Sequence, residues 1–468
     1  MTEADPSTAV RSTAAALTND WQVLCERYLP VVTDDSIWRY SREGLPGDPE
    51  QGWKLHVSAT ILNAGETLKI IGPFLSRRGL LFKAPSSLAE LGKLNTGIFY
   101  GYSQVGKVVT VYPQTSEEAV LLASKLYRLT RGSRAPSIPF DFRYRGCIYY
   151  RYGAFNSLNF EGSNGRPIPS IRDPDGRLVE DVRDSISQPS WVSDPFVQPS
   201  SSFTPPPSPT PLKTTFRAFR ALGQRGKGGV YQAIDLSATP ARLCVLKEGR
   251  KNGEVDWDGR DGFWRIKHER RVLGILRQRG IDVPCVYSSF VAAKNYYVAI
   301  EYIDGENLRQ WLERKQRRMS IRAVLKYGAE LARMVSRIHA AGWVWRDCKP
   351  ANVVITTNGM LRPVDFEGAC PVDHPDSAPW GTAAYVPPEV NSSFKGESRV
   401  PEDLYAVGAV IYHLLTGRTA DVEPPSRLTK LRRGIPAPLR DVVMDLLDPD
   451  PQQRPSAHDA AARLEALR

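Results

Sequence analysis

No run of apolar residues in this sequence is long enough to cross a bilayer. The longest, around Tyr405 to Leu415, falls well short of the ~20 residues required. The opening MTEADPSTAV has neither a basic start nor an apolar core, so no secretory signal is expected. Cysteine is sparse: Cys25, Cys147, Cys244, Cys285, Cys348 and Cys370 stand singly, without a C-x-x-C pair. That spacing argues against a zinc site and a disulfide framework and suits a reducing, cytoplasmic setting. No self-similar repeat of about 20–50 residues is present, which excludes solenoids and propellers. Acidic residues are the minority, 51 against 62 lysines and arginines. The formal charge of +11 favours an anionic partner but does not choose among nucleic acid, membrane and phosphate.

What is present is the composition of a globular protein, 41% apolar and 24% charged. At 468 residues the chain exceeds one ordinary core, so two or three domains are expected. The clearest boundary is Pro189 to Pro211, PSWVSDPFVQPSSSFTPPPSPTP, whose proline and serine density gives an extended, hydrated segment. A linker is therefore expected over 189–213. Residues 1–40 form an N-terminal extension with a helix around Asp20 to Tyr28 and no legible chemistry. Between Trp53 and Gly153, β-type runs (GKVVTVYP, CIYYRYG) and a helical run, Ser116 to Leu129, predict an α+β domain over 41–188. Short strands followed by long helical patterns over 214–468 predict a small sheet-rich lobe and a helical lobe. The expected class is α+β, multidomain.

In the second half, LGQRGKGGVY lies between two β-type runs. Glycine permits close backbone approach and free N–H donors, both of which phosphates need. Gly223, Gly226, Gly228 and Val230 are the candidate phosphate-loop residues, although a glycine-rich turn alone is ordinary in hairpins. Lys247 ends the apolar strand RLCVLK, and Glu269 on FWRIKHERRVLGIL could orient it. AIEYIDGENL turns polar at Glu301, as suits a connector whose backbone hydrogen-bonds adenine. WRDCKPANVVI then supplies Asp347 to accept the hydroxyl proton, Lys349 to neutralise the transferring phosphoryl group and Asn352 to ligate magnesium. Thirteen residues after Asn352, VDFEG places Asp365 as the main magnesium ligand. Four such elements in this order point to ATP- and Mg2+-dependent phosphoryl transfer.

This half resembles the eukaryotic-type Ser/Thr protein kinases and carries their bilobal fold as an expectation. Further matches are PPE at Pro387 to Glu389, DLYAVG from Asp403, and Arg454 in QQRPSA. The resemblance implies that Glu389 pairs with Arg454 and that Asp403 braces the catalytic loop. The departures are Arg225 at the middle glycine of the phosphate loop, Trp345 in place of histidine before Arg346, and Glu367 in place of glycine after Phe366. None removes a catalytic group, so an active kinase is expected rather than a pseudokinase.

The first half is basic. Between Ser41 and Arg151 there are 15 lysines and arginines against 8 acids. WKLHVSAT places Lys54 and His56 two apart on a strand, hence on one face. Lys83 of FKAP, Lys107 of GKVVTVYP, and Arg145 and Arg151 of RYRGCIYYRYG add cations, a set suited to phosphate. A solvated basic face would read the same way. The run WKLHVSATILNAGETL, FK, GKVVTVYP, IPFDF, YYRYG, RDPDGRLVEDVRD and WVSDPF, over roughly residues 40–197, resembles the N-terminal region of class III and IV lanthipeptide synthetases. There a kinase domain phosphorylates Ser or Thr of a precursor peptide, and a lyase domain similar to phosphothreonine lyases eliminates the phosphate. The resemblance implies Lys83 as base, His56 as acid and Lys54 in a phosphate clamp, with Lys107, Arg145 and Arg151 as further clamp members.

Family members continue into a cyclase domain, whereas this sequence ends fourteen residues after Arg454. Dehydration without ring closure is therefore expected, any cyclase being a separate protein. The expected partner is a Ser/Thr-containing peptide or protein, with neither nucleic acid nor membrane. Two other readings compete. One is a signalling Ser/Thr kinase whose N-terminal domain merely binds phosphate; the other is a scaffold with two idle sites.

Overall fold

A computed structural model describes residues 6–33, 36–156, 158–162, 165–197, 215–315, 318–376, 378–391 and 398–468. The N-terminal domain is built on a seven-stranded sheet. Its strands run, in order across the sheet, Val31–Val32, Trp38–Tyr40, Leu81–Pro85, Val109–Tyr112, Gln51–Val57, Ile148–Ala154 and Phe142–Arg145. Alternation along these strands divides the side chains between two faces. Trp53, Leu55, Val57, Phe82, Ala84, Val109 and Val111 join one buried apolar cluster. Ala64, Leu68, Ile71 and Leu75 of the helix Ala64–Arg77 and Ala119, Leu122 and Leu126 of the helix Ser116–Leu129 belong to it. Thr115 caps the latter helix by accepting from the Glu118 amide at 3.1 Å, with Glu117 and Glu118 favourably placed in its first turn.

The same cluster takes in Trp21, Cys25, Tyr28 and Leu29, from or just after the helix Pro6–Tyr28. Gly72 is glycine because this helix lies close: a Cβ there would stand 2.8 Å from the Tyr28 ring. The strands Asn159–Glu161, Pro167–Arg172 and Leu178–Glu180 form a separate small sheet. The first part of the Pro-rich segment is packed rather than free. Phe196 stacks on Tyr150 at 3.9 Å between ring centroids, and Asp194 accepts from the Tyr150 hydroxyl at 2.9 Å. The rest of the expected linker, 198–213, lies outside the described residues.

The second half has the two lobes of a kinase. A five-stranded antiparallel sheet, in the order Phe216–Arg225, Gly228–Asp235, Arg242–Gly249, Asn295–Glu301, Val286–Ala292, carries the helix Gly262–Gln278. In the helical lobe, Ile321–Ala340 starts at Ser320, whose hydroxyl accepts from the Ala323 amide at 3.2 Å, and buries Val324, Leu331, Val335 and Ile338. The apolar stretch from Tyr405 to Leu415 lies in the helix Val400–Thr416. It is apolar all round because it is buried nearly all round. No helix among the described residues is long and apolar enough to cross a membrane.

The two halves touch. The Gly226 amide donates to the Thr96 carbonyl at 2.9 Å, and a Cβ on Gly226 would collide with the Asn95 carbonyl. Asn252 donates to the Ala135 carbonyl at 3.2 Å, the Arg250 guanidinium meets the Tyr102 hydroxyl, and Trp257 packs against the N-terminal core.

Arg454 clamps the base of the helical lobe. Its buried guanidinium donates to Glu389 at 2.5 and 2.9 Å and to the carbonyls of Asp448 and Pro401 at 2.9 and 3.0 Å. Arg454→Ala leaves Glu389 and two carbonyls without this donor. It should cost the kinase half about 3 kcal/mol, a loss tempered by the partial exposure of Glu389. Urea unfolding followed by tryptophan fluorescence measures it, and an unshifted midpoint would contradict this role.

Candidate active sites

The first site lies in the cleft between the kinase lobes, a cavity of about 1540 Å³ lined by Gly223, Gly228, Val230, Lys247, Glu301, Asp347, Lys349, Asn352 and Asp365. Lys247 points from its strand to Glu269 at 2.7 and 2.8 Å, to Asp365 at 3.0 Å and towards Glu367 at 4.0 Å. Burial alone would lower the Lys247 pKa; Asp365, Glu269 and Glu367 outweigh it and hold the amine protonated. Burial would likewise raise Asp365, but Lys247 and Lys227 keep it well below the ordinary carboxylate value. Glu269 also accepts from the Phe366 amide at 3.1 Å, which ties the helix to the segment carrying Asp365.

The catalytic loop is held by one buried carboxylate. Asp403 accepts from the amides of Trp345 and Arg346 at 2.8 and 2.7 Å and pairs with His339 at 2.9 Å. Arg346 and Asp365 have φ of +65° and +67°, a region costly for residues other than glycine, and these contacts help to hold the loop there. Asp347 pairs with Lys349 at 2.7 Å and accepts from the Asn352 amide nitrogen at 2.9 Å. That bond orients the Asn352 amide nitrogen towards Asp347 and leaves its amide oxygen as the atom that could meet a metal. Glu269, Asp365 and Glu367 bring ligand oxygens within 4.8 Å of one another, a hard-oxygen set that fits magnesium.

The departures from the kinase pattern have physical accounts. Trp345 stacks on Phe366 at 5.4 Å, and its indole N–H donates to the Asp365 carbonyl at 2.9 Å. The bulkier ring thus supplies a ring N–H donor to the metal loop. Glu367 is buried and paired with Lys227 of the glycine-rich turn. One expectation changes. The Gly226 amide is spent on Thr96, so that glycine serves approach to the N-terminal domain. Glu301 lines the cleft, but its amide donates to the Cys285 carbonyl at 2.8 Å and its carboxylate pairs with Arg362. Thr382, which motif reading passed over, donates to Asp347 at 3.3 Å and accepts from Lys349 at 2.8 Å.

The second site is on the polar face of the N-terminal sheet. Register puts Tyr40 beside Lys83, Lys83 beside Thr110, Thr110 beside His56, and Lys54 beside Arg151. Directly paired residues share a face, so one face gathers these side chains with Trp38 and Tyr112. They line a cavity of about 210 Å³ with Lys107, Arg183 and Asn159. That is below the ~300 Å³ at which small-molecule pockets begin, and suits a single phosphorylated side chain. The Lys83 and His56 strands stand two strand spacings apart, roughly 10 Å, which lets the two groups approach one substrate from different sides.

Burial, then Arg183 and Lys107, lowers Lys83 to about 8. The Trp38 ring, 4.3 Å from the amine, favours its cation but does not outweigh these. His56 donates through Nδ1 to Asp141 at 2.5 Å, and Asp141 also pairs with Lys107 at 3.1 Å. Burial pushes His56 down to about 4 against the pull of Asp141. Lys54, lowered by burial, donates to the Ala154 carbonyl at 2.7 Å. Arg151 is anchored by Asp181 and the Val182 carbonyl, and Asp181 also holds Arg183 at 2.8 Å. Arg145, expected in the clamp, is instead exposed on an edge strand beside Tyr144. Sequence reading missed Asp141, Arg183, Trp38 and Tyr40. Asp141 lay inside IPFDF and Arg183 inside EDVRD, while Trp38 and Tyr40 share the two-residue spacing of Lys54 and His56.

A lysine that ordinarily titrates near 10.4 and here titrates near 8 is checkable directly. In 15N NMR of labelled lysine side chains, assigned by its loss in Lys83→Met, Lys83 should titrate near pH 8. The folded state then releases this proton before the unfolded chain does. Its contribution is unfavourable below about pH 8 and is relieved as pH rises towards about 10.4. An ordinary midpoint would contradict the buried, cation-lined setting.

Residues 30–203 match the family described as RamC, N-terminal domain, and residues 216–463 match the protein kinase domain. The chain is 30% identical over 384 residues to a probable SapB synthase of Streptomyces coelicolor, covering 79% of this chain and 40% of that protein. It is 27% identical over 269 residues to serine/threonine-protein kinase F of Synechocystis, covering 53% of this chain and 54% of the relative. Serine/threonine-protein kinase PknA of Mycobacterium tuberculosis is 29% identical over 219 residues, or 44% and 48% of the two chains. The chain thus spans about half or less of the length of these relatives. It belongs to the protein kinase family, and it carries that domain behind an N-terminal domain of the RamC type.

Proposed function

We propose that this chain phosphorylates Ser or Thr of a precursor peptide with ATP and then eliminates the phosphate, leaving a dehydroamino acid. The observation that carries the second step is the pairing of Lys83 and His56 across one small, cation-lined cavity. The similarity to a probable SapB synthase favours a biosynthetic role over a signalling one.

In the kinase cleft Asp347 takes or orients the substrate hydroxyl proton, and Lys349 stands beside it to offset charge on the transferring group. Asp365 and Asn352 would hold magnesium, which offsets the negative charge of the phosphates when bound. Lys247 would meet the α- and β-phosphates. The phosphorylated side chain then passes to the second cavity, where Lys54, Lys107, Arg151 and Arg183 provide counter-charge. Lys83, neutral in a usable fraction at physiological pH, removes the Cα proton. The electrons form the Cα–Cβ double bond, the Cβ–O bond breaks, and phosphate departs. His56 protonates the leaving oxygen. With Nδ1 fixed on Asp141, a neutral ring presents an unprotonated Nε2, so His56 must be cationic to act. The incoming phosphate dianion supplies the charge that favours this form.

Lys83→Ala and His56→Ala should each cut elimination by about 10²–10⁴-fold and accumulate phosphopeptide. Mass spectrometry of a precursor peptide with ATP, magnesium and each variant distinguishes added phosphate from lost water. Stable phosphopeptide as the wild-type product would refute the lyase and leave a signalling kinase with a phosphate-binding domain. Because the step needs Lys83 neutral and His56 cationic, the wild-type rate on phosphopeptide supplied directly should fall at low pH, where Lys83 keeps its proton, and at high pH, where His56 has lost its own.

A further inference from the structure

We propose that Lys227 is a second phosphate-binding lysine of the nucleotide cleft, one that exchanges its partner Glu367 for the polyphosphate when a nucleotide enters. The inference rests on reading the cleft as a nucleotide site.

A glycine-rich turn ordinarily offers phosphates its backbone amides. Here the tip is a two-residue turn, Gly226–Lys227, between strands paired up to Arg225 and Gly228. Its amides are engaged elsewhere: Gly226 donates to the Thr96 carbonyl at 2.9 Å and Lys227 to Glu254 at 3.3 Å. The Lys227 carbonyl accepts from the Arg250 amide at 2.7 Å. A tip tied down on both edges cannot wrap a phosphate with its backbone as a free loop does. The donor it directs into the cleft is the Lys227 ammonium, on the cavity wall with Lys247, Asp365 and Glu367.

Lys227 spans the cleft from the turn to Glu367, one residue past Phe366. Charge explains the contact. Glu269, Asp365 and Glu367 crowd their oxygens within 4.8 Å, and Lys247 alone, at 2.7, 3.0 and 4.0 Å, leaves them with excess negative charge. Lys227 offsets that excess. Magnesium and a polyphosphate bring, respectively, a replacement cation for the carboxylates and a stronger anion for the lysine. The glutamate that replaces the usual glycine and the lysine at the shortened turn thus form one device.

The test is binding, so it does not depend on turnover or on the peptide. With EDTA present, isothermal titration of ADP into Lys227→Met should show affinity weakened roughly tenfold to a hundredfold, the range of one charge-assisted contact. Adenosine, which lacks phosphates, should bind this variant as it binds wild type, which also reports that the cleft is folded. Glu367→Gly removes the competing partner and should tighten metal-free ADP binding. The double variant should behave like Lys227→Met. Wild-type ADP affinity in Lys227→Met, or weakened metal-free ADP binding in Glu367→Gly, would overturn the proposal. Failure of the wild-type cleft to bind adenosine at all would overturn the nucleotide reading beneath it.

Discussion

Everything in the kinase half is referred to one buried ion pair. Lys247 and Glu269, on different elements of the small lobe, meet at 2.7 Å, and each reaches into the other lobe. Lys247 touches Asp365 and Glu269 accepts from the Phe366 amide. Removing either partner would strand charge in a buried setting, so the two lobes are registered against each other electrostatically as well as by packing. From Asp365 the chain of constraint continues through the Trp345 indole to the catalytic loop and through Asp403 to the helix Val400–Thr416. The left-handed backbone at Arg346 and Asp365 is held within this network.

The N-terminal domain solves a different problem, which is how to keep several cations on the polar face of a sheet. Lys54, Lys83 and Lys107 are all driven below ordinary lysine values, chiefly by burial. Asp141 and Asp181 offset part of that cost, and both hold their partners by short ion pairs. Lys83 differs from its neighbours in facing aromatic rings, Trp38 and Tyr40, instead of a carboxylate. No carboxylate faces it to hold its proton, which suits the role of base proposed for it. Lys54 and Lys107, hydrogen-bonded or paired, are better suited to binding an anion than to taking a proton.

How much was legible follows from what each signal depends on. The kinase constellation was legible because phosphoryl transfer fixes residue types at fixed separations along the chain, as from Asp347 through Asn352 to Asp365. The Lys54/His56 pair was legible because alternation on a strand is local, and Ser116–Leu129 because helical periodicity is local. Strand order was not. Nothing in the sequence says that Val109–Tyr112 lies between Leu81–Pro85 and Gln51–Val57, which is what brings Lys83 to His56 across Thr110. Arg145 shows the converse error. It was grouped with Arg151 for sharing a basic segment, but a turn at Gly146, with φ of +58°, sends it onto the exposed edge strand.

Glycine 226 carries the same lesson about contacts distant in sequence. In the motif it reads as a phosphate residue. In the fold it is where the Asn95 carbonyl comes too close for any side chain and the Thr96 carbonyl takes its amide. Asn95 in turn accepts from the Gly106 amide at 3.0 Å, next to Lys107 of the second cavity. The turn over one cleft and the wall of the other therefore share Asn95, through its carbonyl on one side and its side-chain oxygen on the other. Because the contact at Gly226 is backbone against backbone, it has little of the slack that flexible side chains would give. A shift of the turn must either carry Asn95 with it or break the Gly226–Thr96 bond. The two sites are mechanically adjacent although their motifs lie more than a hundred residues apart.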